Sequence, residues 1–175
     1  CVLSSKLGVK KLEEAITSIS TNHQPNLIII ETSGSCHPLP LIEYFKNKAG
    51  VKLIGVLTLV DSILLAHDYA FGEQLIPRLQ QNLQKQTRDT VNLLVEQIMF
   101  CSHLLLTKPD RIEKGRLQQL AKAIHPLNPY VSIISILFGN LSIDDLLDLP
   151  EYDYHRVAQL TEEVKPLLAK ESLDE

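Results

Sequence analysis

Four short apolar runs, alternating with stretches of helical periodicity, constrain this 175-residue chain more than any other feature. The runs are Leu27 to Ile30, Leu53 to Val60, His103 to Leu106 and Val131 to Ile136. Runs without a polar alternate face mark strands buried on both sides, as in parallel sheets. The intervening stretches repeat their apolar residues every three or four positions, which predicts helices. Val9 to Ser20 places Val9, Leu12, Ala15, Ile16 and Ile19 on one stripe. A second helix is predicted from Pro38, an apt first-turn residue, to about Lys48. A short one follows from Ser62 to Tyr69. Gly72 to Arg88 is rich in glutamine and contains Pro77, so it reads as an exposed, partly helical insertion. Thr90 to Cys101 carries Val91, Leu94, Val95, Ile98 and Met99 on one core-facing stripe. Arg111 to Ile124 is a further helix, and Ser142 with Asp145 forms a capping box for a short one. After Pro150, Val157, Leu160, Val164 and Leu167 fall at helical spacing. The expected fold class is α/β, a mostly parallel, doubly wound sheet with helices on both faces.

In such sheets ligands bind outside the carboxyl ends of the strands. Three of the four runs end in acids, Glu31, Asp61 and Asp110, so a row of carboxylates is expected along one edge. The net charge of −4 argues against a nucleic-acid partner, but not against a nucleotide, which needs only a few local donors. No apolar run approaches the ~20 residues that span a bilayer, so no membrane partner is expected. No secretory leader is visible. Three cysteines at unmatched spacings, Cys1, Cys36 and Cys101, do not read as a disulfide framework, which points to the cytoplasm.

Thr107-Lys108-Pro109-Asp110 has a chemistry of its own. A carboxylate at the last position accepts two parallel hydrogen bonds from N1–H and N2–H₂ of guanine. Adenine lacks that donor pair and leaves the acid unpaired. The lysine stem can lie along the base. Taken alone, the same residues also read as a turn capping a helix. Glu31-Thr32-Ser33-Gly34 adds to the first reading. An acid at a strand end can hold a Mg²⁺ shell through water. A glycine three residues on lets a backbone N–H approach a terminal phosphate where a Cβ would obstruct.

In this order ETSG, VLTLVDS, EQIMFCSHLLLTKPD and IHPLNPYVSII resemble the CobW family of P-loop GTPases, similar to the urease and hydrogenase accessory GTPases and associated with metal delivery. The resemblance covers Cys1 to about Leu149. It implies that residues 1–149 are the C-terminal portion of a GTPase domain, with 150–175 a helical tail or a linker to a further domain. It implies Glu31 and Gly34 as the catalytic switch segment, and Thr107, Lys108 and Asp110 as the guanine contacts. Asp61 matches the family's VVDA strand end, and Glu96-Gln97 its EQI helix. The implied ligands are GTP and Mg²⁺, with zinc or cobalt as cargo, and the implied partner is a metal-receiving client protein. A homodimer is compatible with it.

The chain departs from the family pattern in three places. Thr107 stands where asparagine is usual. No G-x-x-x-x-G-K-S/T phosphate loop exists, nor any Gly-Lys pair. The family carries that loop upstream, which fits a start at Cys1 as the back portion of a longer protein, inactive by itself. A family metal motif of the form Cys-x-Cys-Cys aligns with Cys1-Val2-Leu3-Ser4, leaving Leu3 and Ser4 at ligand positions. Alternatively, Cys1 is its last cysteine. Cys36 and His37, next to the switch glycine, are further metal candidates, and equally ordinary loop residues. Two other functions stay open: a non-enzymatic interaction module derived from the family, and an unrelated doubly wound small-molecule enzyme.

Overall fold

A computed structural model describes residues 6–149, 151–156 and 159–160. Most of the predicted helical tail therefore lies outside the described residues. The chain divides after Lys52 into two compact units.

The first unit holds α1 (Lys6–His23) and α2 (Pro38–Asn47). Helix α1 buries Leu12 and Ile16 from its stripe, while Ile19 is exposed. Helix α2 buries Leu41, Ile42 and Phe45. Pro38 opens it, where a missing N–H costs nothing. Lys48 reaches Glu13 at 2.9 Å, linking the end of α2 to α1.

Leu27 to Ile30 was expected as a strand and is not one. The segment joins no ladder among the described residues, and Ile29 is 67% exposed. A β-branched run favours extended backbone locally, but a strand also needs a neighbour to share its hydrogen bonds. Glu31 consequently ends no strand here.

The second unit carries a parallel sheet in the order β1-β2-β3, made of Leu57–Asp61, His103–Thr107 and Ser132–Ile136. Leu57 registers with His103 and Asp61 with Thr107 on one side, and Thr107 with Ile136 on the other. This confirms a parallel α/β fold, with three strands among the described residues rather than four. The central strand β2 is buried from His103 to Leu106. On the border strands, Leu59 of β1 and Ser132 and Ser135 of β3 are exposed. Strand β1 is shorter than the predicted Leu53 to Val60 because other groups take its first residues. Ser102 bonds Val56 through backbone and hydroxyl, and the Tyr152 N–H donates to Leu53 O at 3.1 Å.

Helix α3 (Ser62–Asp68) follows β1 directly. The glutamine-rich stretch forms a full helix, α4 (Leu75–Lys85), with Pro77 in the first turn, where it removes no helical hydrogen bond. Leu75 is fully buried and α4 packs on α5 (Thr90–Phe100). Asp89 caps α5, accepting from Val91 N at 2.8 Å, and Asn92 returns a contact to the Asp89 N–H. Val91, Val95, Ile98 and Met99 of the predicted stripe are buried. Helices α6 (Lys114–Ile124) and α7 (Ile143–Leu147) complete the unit. The Ser142 and Asp145 capping box is present at α7.

The far end of α5 is closed by Asn128, which is 3% exposed. Its amide nitrogen lies 3.0, 3.0 and 2.9 Å from the carbonyl oxygens of Ile98, Met99 and Cys101. Its oxygen accepts from Tyr130 N at 3.2 Å. The Tyr152 hydroxyl donates to Phe100 O at 2.5 Å. Helix-end carbonyls have no intrahelical donors, so these side chains supply them.

Candidate functional site

The carboxyl ends of β1 and β2 lie side by side, and the site in the second unit is built there. Thr107, last in β2, donates its hydroxyl to Val60 O at 3.3 Å, tying the two strand ends together. The next residue, Lys108, takes left-handed backbone angles, φ 55° and ψ 39°. That conformation is uncommon for a side chain with a Cβ, and doubly so before a proline. It starts the tight turn Pro109–Arg111, in which Arg111 N donates to Lys108 O at 3.1 Å.

The turn sends the Lys108 ammonium to Asp61 Oδ2. The other Asp61 oxygen accepts from Ile63 N at 2.8 Å and caps α3. Asp61 thus positions Lys108 and starts a helix at once. The Lys108 hydrogen bond, helped by the Ile63 N–H, holds the Asp61 carboxyl below the usual carboxylate range. Lys108 and Asp61 are both partly open to water, so the pair contributes at most about 1 kcal/mol to stability. Asp110 is exposed, its nearest charged neighbour being Arg111 Nε at 3.6 Å. The arrangement fixes Thr107 and Lys108 to the protein and leaves the Asp110 carboxylate facing solvent.

The Glu31 to Gly34 segment belongs to the first unit. Glu31 to Ser35 are exposed. A turn is closed by Cys36 N donating to Ser33 O at 3.0 Å, and the Ser33 and Ser35 hydroxyls are 3.0 Å apart. A Cβ built on Gly34 would meet nothing within 4 Å. His37 sits at the N-cap of α2 without a capping side-chain bond. Cys36 is buried, its thiol directed to His37 O at 3.6 Å. Among the described residues, no group of three or more His, Cys, Asp or Glu gathers to hold a metal ion. Cys1 lies outside them. A Mg²⁺ ion does not require such a cluster, since it keeps waters and binds one or two carboxylates together with substrate phosphates. Exposed Glu31 suits that role.

At the opposite, amino end of β2, Cys101 and His103 are buried. Burial pushes the Cys101 thiol up to about 12, so it is no thiolate ligand. His103 has Nδ1 2.9 Å from Ser102 Oγ, and burial lowers its pKa. A lowered folded pKa means that the fold favours the neutral ring, so this stability is present above the unfolded value of about 6.5 and is lost as pH falls through the folded one. Asp61 has the same sign in a lower window, below about 4. The urea midpoint should hold above about pH 6.5 and begin to decline as the pH falls below it. His103→Gln should flatten that first decline; an unchanged slope in the variant would remove His103 as its source.

Sequence reasoning placed Asp61 and the Thr107 to Asp110 turn but missed that Lys108 is held by Asp61. The available signal was opposite charges at the ends of two predicted neighbouring strands. Comparison with known proteins adds the following. The family profile for the CobW/HypB/UreG nucleotide-binding domain matches residues 6–135. The chain is 25% identical over 153 residues to the zinc-regulated GTPase metalloprotein activator 1 of Dictyostelium discoideum. That match covers 82% of this chain and 32% of the relative, so the chain spans about a third of the relative's length. No solved structure gives a significant match.

Proposed function

Because this chain belongs to the CobW/HypB/UreG nucleotide-binding domain family, we propose that it supplies the guanine-recognition and switch segments of a GTP-binding, GTP-hydrolysing protein that delivers metal. The observation that carries this reading is the turn after β2. Thr107 and Lys108 are anchored to β1 while Asp110 is left open. The Asp110 carboxylate accepts from guanine N1–H and N2–H₂, and Thr107 keeps the strand ends in register. Lys108, held by Asp61, leaves its aliphatic stem to line the base. Glu31 orients the attacking water or a water of the metal shell, and the Gly34 N–H meets the terminal phosphate. Bound Mg²⁺ supplies charge neutralisation on the phosphates. Positioning and charge stabilisation do most of the work in such phosphoryl transfers. The cargo on this reading is zinc or cobalt, the recipient a client metalloprotein, and the compartment the cytoplasm. Among the described residues no helix is long and apolar enough to cross a membrane. A second reading, a non-enzymatic interaction module, draws on the absence of any phosphate-loop motif from these 175 residues.

On this reading the 175 residues hold the base-recognition turn, but they have no Gly-Lys pair to cradle a triphosphate. One bidentate acid does not offset the cost of immobilising a highly charged ligand. Calorimetric titration with Mg²⁺–GTP should therefore show binding weaker than micromolar and no hydrolysis. Micromolar or tighter binding would put a phosphate site inside these residues. Guanine recognition is tested separately: millimolar GDP, and not ADP, should shift the backbone amides of Thr107 to Arg111.

A further inference from the structure

Between α3 and α4 the chain runs through three consecutive residues of positive φ: Ala70 at 47°, Phe71 at 56° and Gly72 at 91°. Two of the three carry a Cβ, so the backbone there is strained. The turn is closed on Tyr69 O, which accepts from Gly72 N at 2.9 Å and from Gln74 N at 3.1 Å. Helix α6 presses on it. A Cβ at Gly72 would stand 3.0 Å from that of Ala123, and Gln119 Nε2 donates to Glu73 Oε1 at 2.6 Å. Strain that the surroundings hold in place clusters at functional positions.

The turn seats two arginines, one from each flanking helix. Arg78 of α4 lies over the Tyr69 ring, its Cζ 5.2 Å from the centroid. Arg116 of α6 lies over the Phe71 ring at 5.0 Å. Both arginines are exposed. Among the described residues neither forms an ion pair. A guanidinium seated on a ring uses its face and keeps its N–H edge for a planar, two-oxygen acceptor. Helices α4 and α6 contain no Asp or Glu, although the net charge of the chain is −4. A surface of that sign selects an anionic partner. Exposed Glu73 lies in the same turn, so a nucleic-acid strand, with a charge every few Å, meets repulsion there. Single carboxylates on a protein segment can reach each guanidinium and avoid Glu73.

We propose that the Tyr69 to Glu73 turn, with Arg78 and Arg116, docks an acidic segment of a partner protein, each guanidinium taking one carboxylate. The two rings fix the guanidiniums in advance, which lowers the ordering cost of binding. The surface shares no residue with the Thr107 to Asp110 turn and stands or falls independently of the guanine reading.

The probe is a dye-labelled oligoglutamate peptide titrated into the full chain. It should shift the backbone amides of Tyr69 to Gln74 and leave those of Ser132 to Ile136 in place. Its affinity should fall as salt rises. Replacing both arginines, Arg78→Gln with Arg116→Gln, should raise the midpoint roughly tenfold, since each exposed pair contributes modestly. Arg78→Lys with Arg116→Lys keeps the charge but loses the fork, and should recover only part of that affinity. Both arginines are exposed, so melting temperatures should be equal; if the glutamine variant melts early, undiminished binding by the lysine variant overturns the proposal. Equal midpoints in the glutamine variant and the unaltered chain would also overturn it. So would an oligoglutamine peptide that binds as well, or shifts confined to residues outside Tyr69 to Gln74. Tighter binding of a single-stranded oligonucleotide than of the peptide would refute it in favour of a nucleic-acid surface.

Discussion

Asp110→Asn should abolish the preference for guanine, by about 100-fold, and admit xanthosine nucleotides. A carboxylate accepts two donors from guanine, and each such charge-assisted bond is worth roughly 1.5–3 kcal/mol. An amide offers one acceptor and one donor pair, so it confronts guanine N–H with its own N–H but can donate to the xanthine C2 carbonyl. The measurement is competition between GTP and XTP in a protein that joins this chain to a phosphate loop. The exchange should leave folding untouched, because Asp110 is exposed and its nearest charge is the still more exposed Arg111 at 3.6 Å. Equal melting temperatures would establish that. Retained discrimination against xanthosine nucleotides in the variant would refute the assigned role of Asp110.

The largest stability effect should come from a residue far from that edge. Asn128→Ala should cost about 2–4 kcal/mol. The amide has two hydrogens, which it shares among the carbonyls of Ile98, Met99 and Cys101 at 2.9 to 3.0 Å. Without it, these carbonyls at the buried end of α5 have lost their side-chain donor, and the Tyr130 N–H loses its acceptor. Buried orphan groups incur their full desolvation cost. Equilibrium urea unfolding measures the loss. Asn128→Asp should be no better, since a carboxylate repels the same carbonyls. A change below about 0.5 kcal/mol in Asn128→Ala would mean that water replaces the amide and the end of α5 is not buried as described.

What could be read from sequence and what could not divide along a physical line. The Ser142 to Asp145 capping box, the core stripe of α5 and the apolar β2 are local: near neighbours specify them, and the box is present as read. Strand β1 ended at Asp61 as expected, but its beginning was decided by Ser102 and Tyr152, which are distant in sequence. Leu27 to Ile30 shows the same limit from the other side, since apolar β-branched residues specify extension but not a partner. Gly72 to Arg88 reads as only partly helical with Pro77 inside it, yet position within the helix decides the effect of a proline, and the first turn tolerates it. At the candidate site, residue types singled out Asp61, Lys108 and Asp110 as candidates, whereas the bond between Lys108 and Asp61 depends on strand register. Nothing local marks Asn128. Its importance lies in three carbonyls almost thirty residues upstream.

Among the described residues, the two border strands of the sheet differ chemically. On β3 the exposed side chains are Ser132 and Ser135. A strand adding there would have to strip water from hydroxyls and gain little apolar cover. On β1 the exposed side chain is Leu59, 63% open, and a strand adding there would be rewarded by covering it. Among the described strands, a neighbour on the β1 side would therefore gain apolar cover from Leu59, and one laid along Ser132 and Ser135 would gain little.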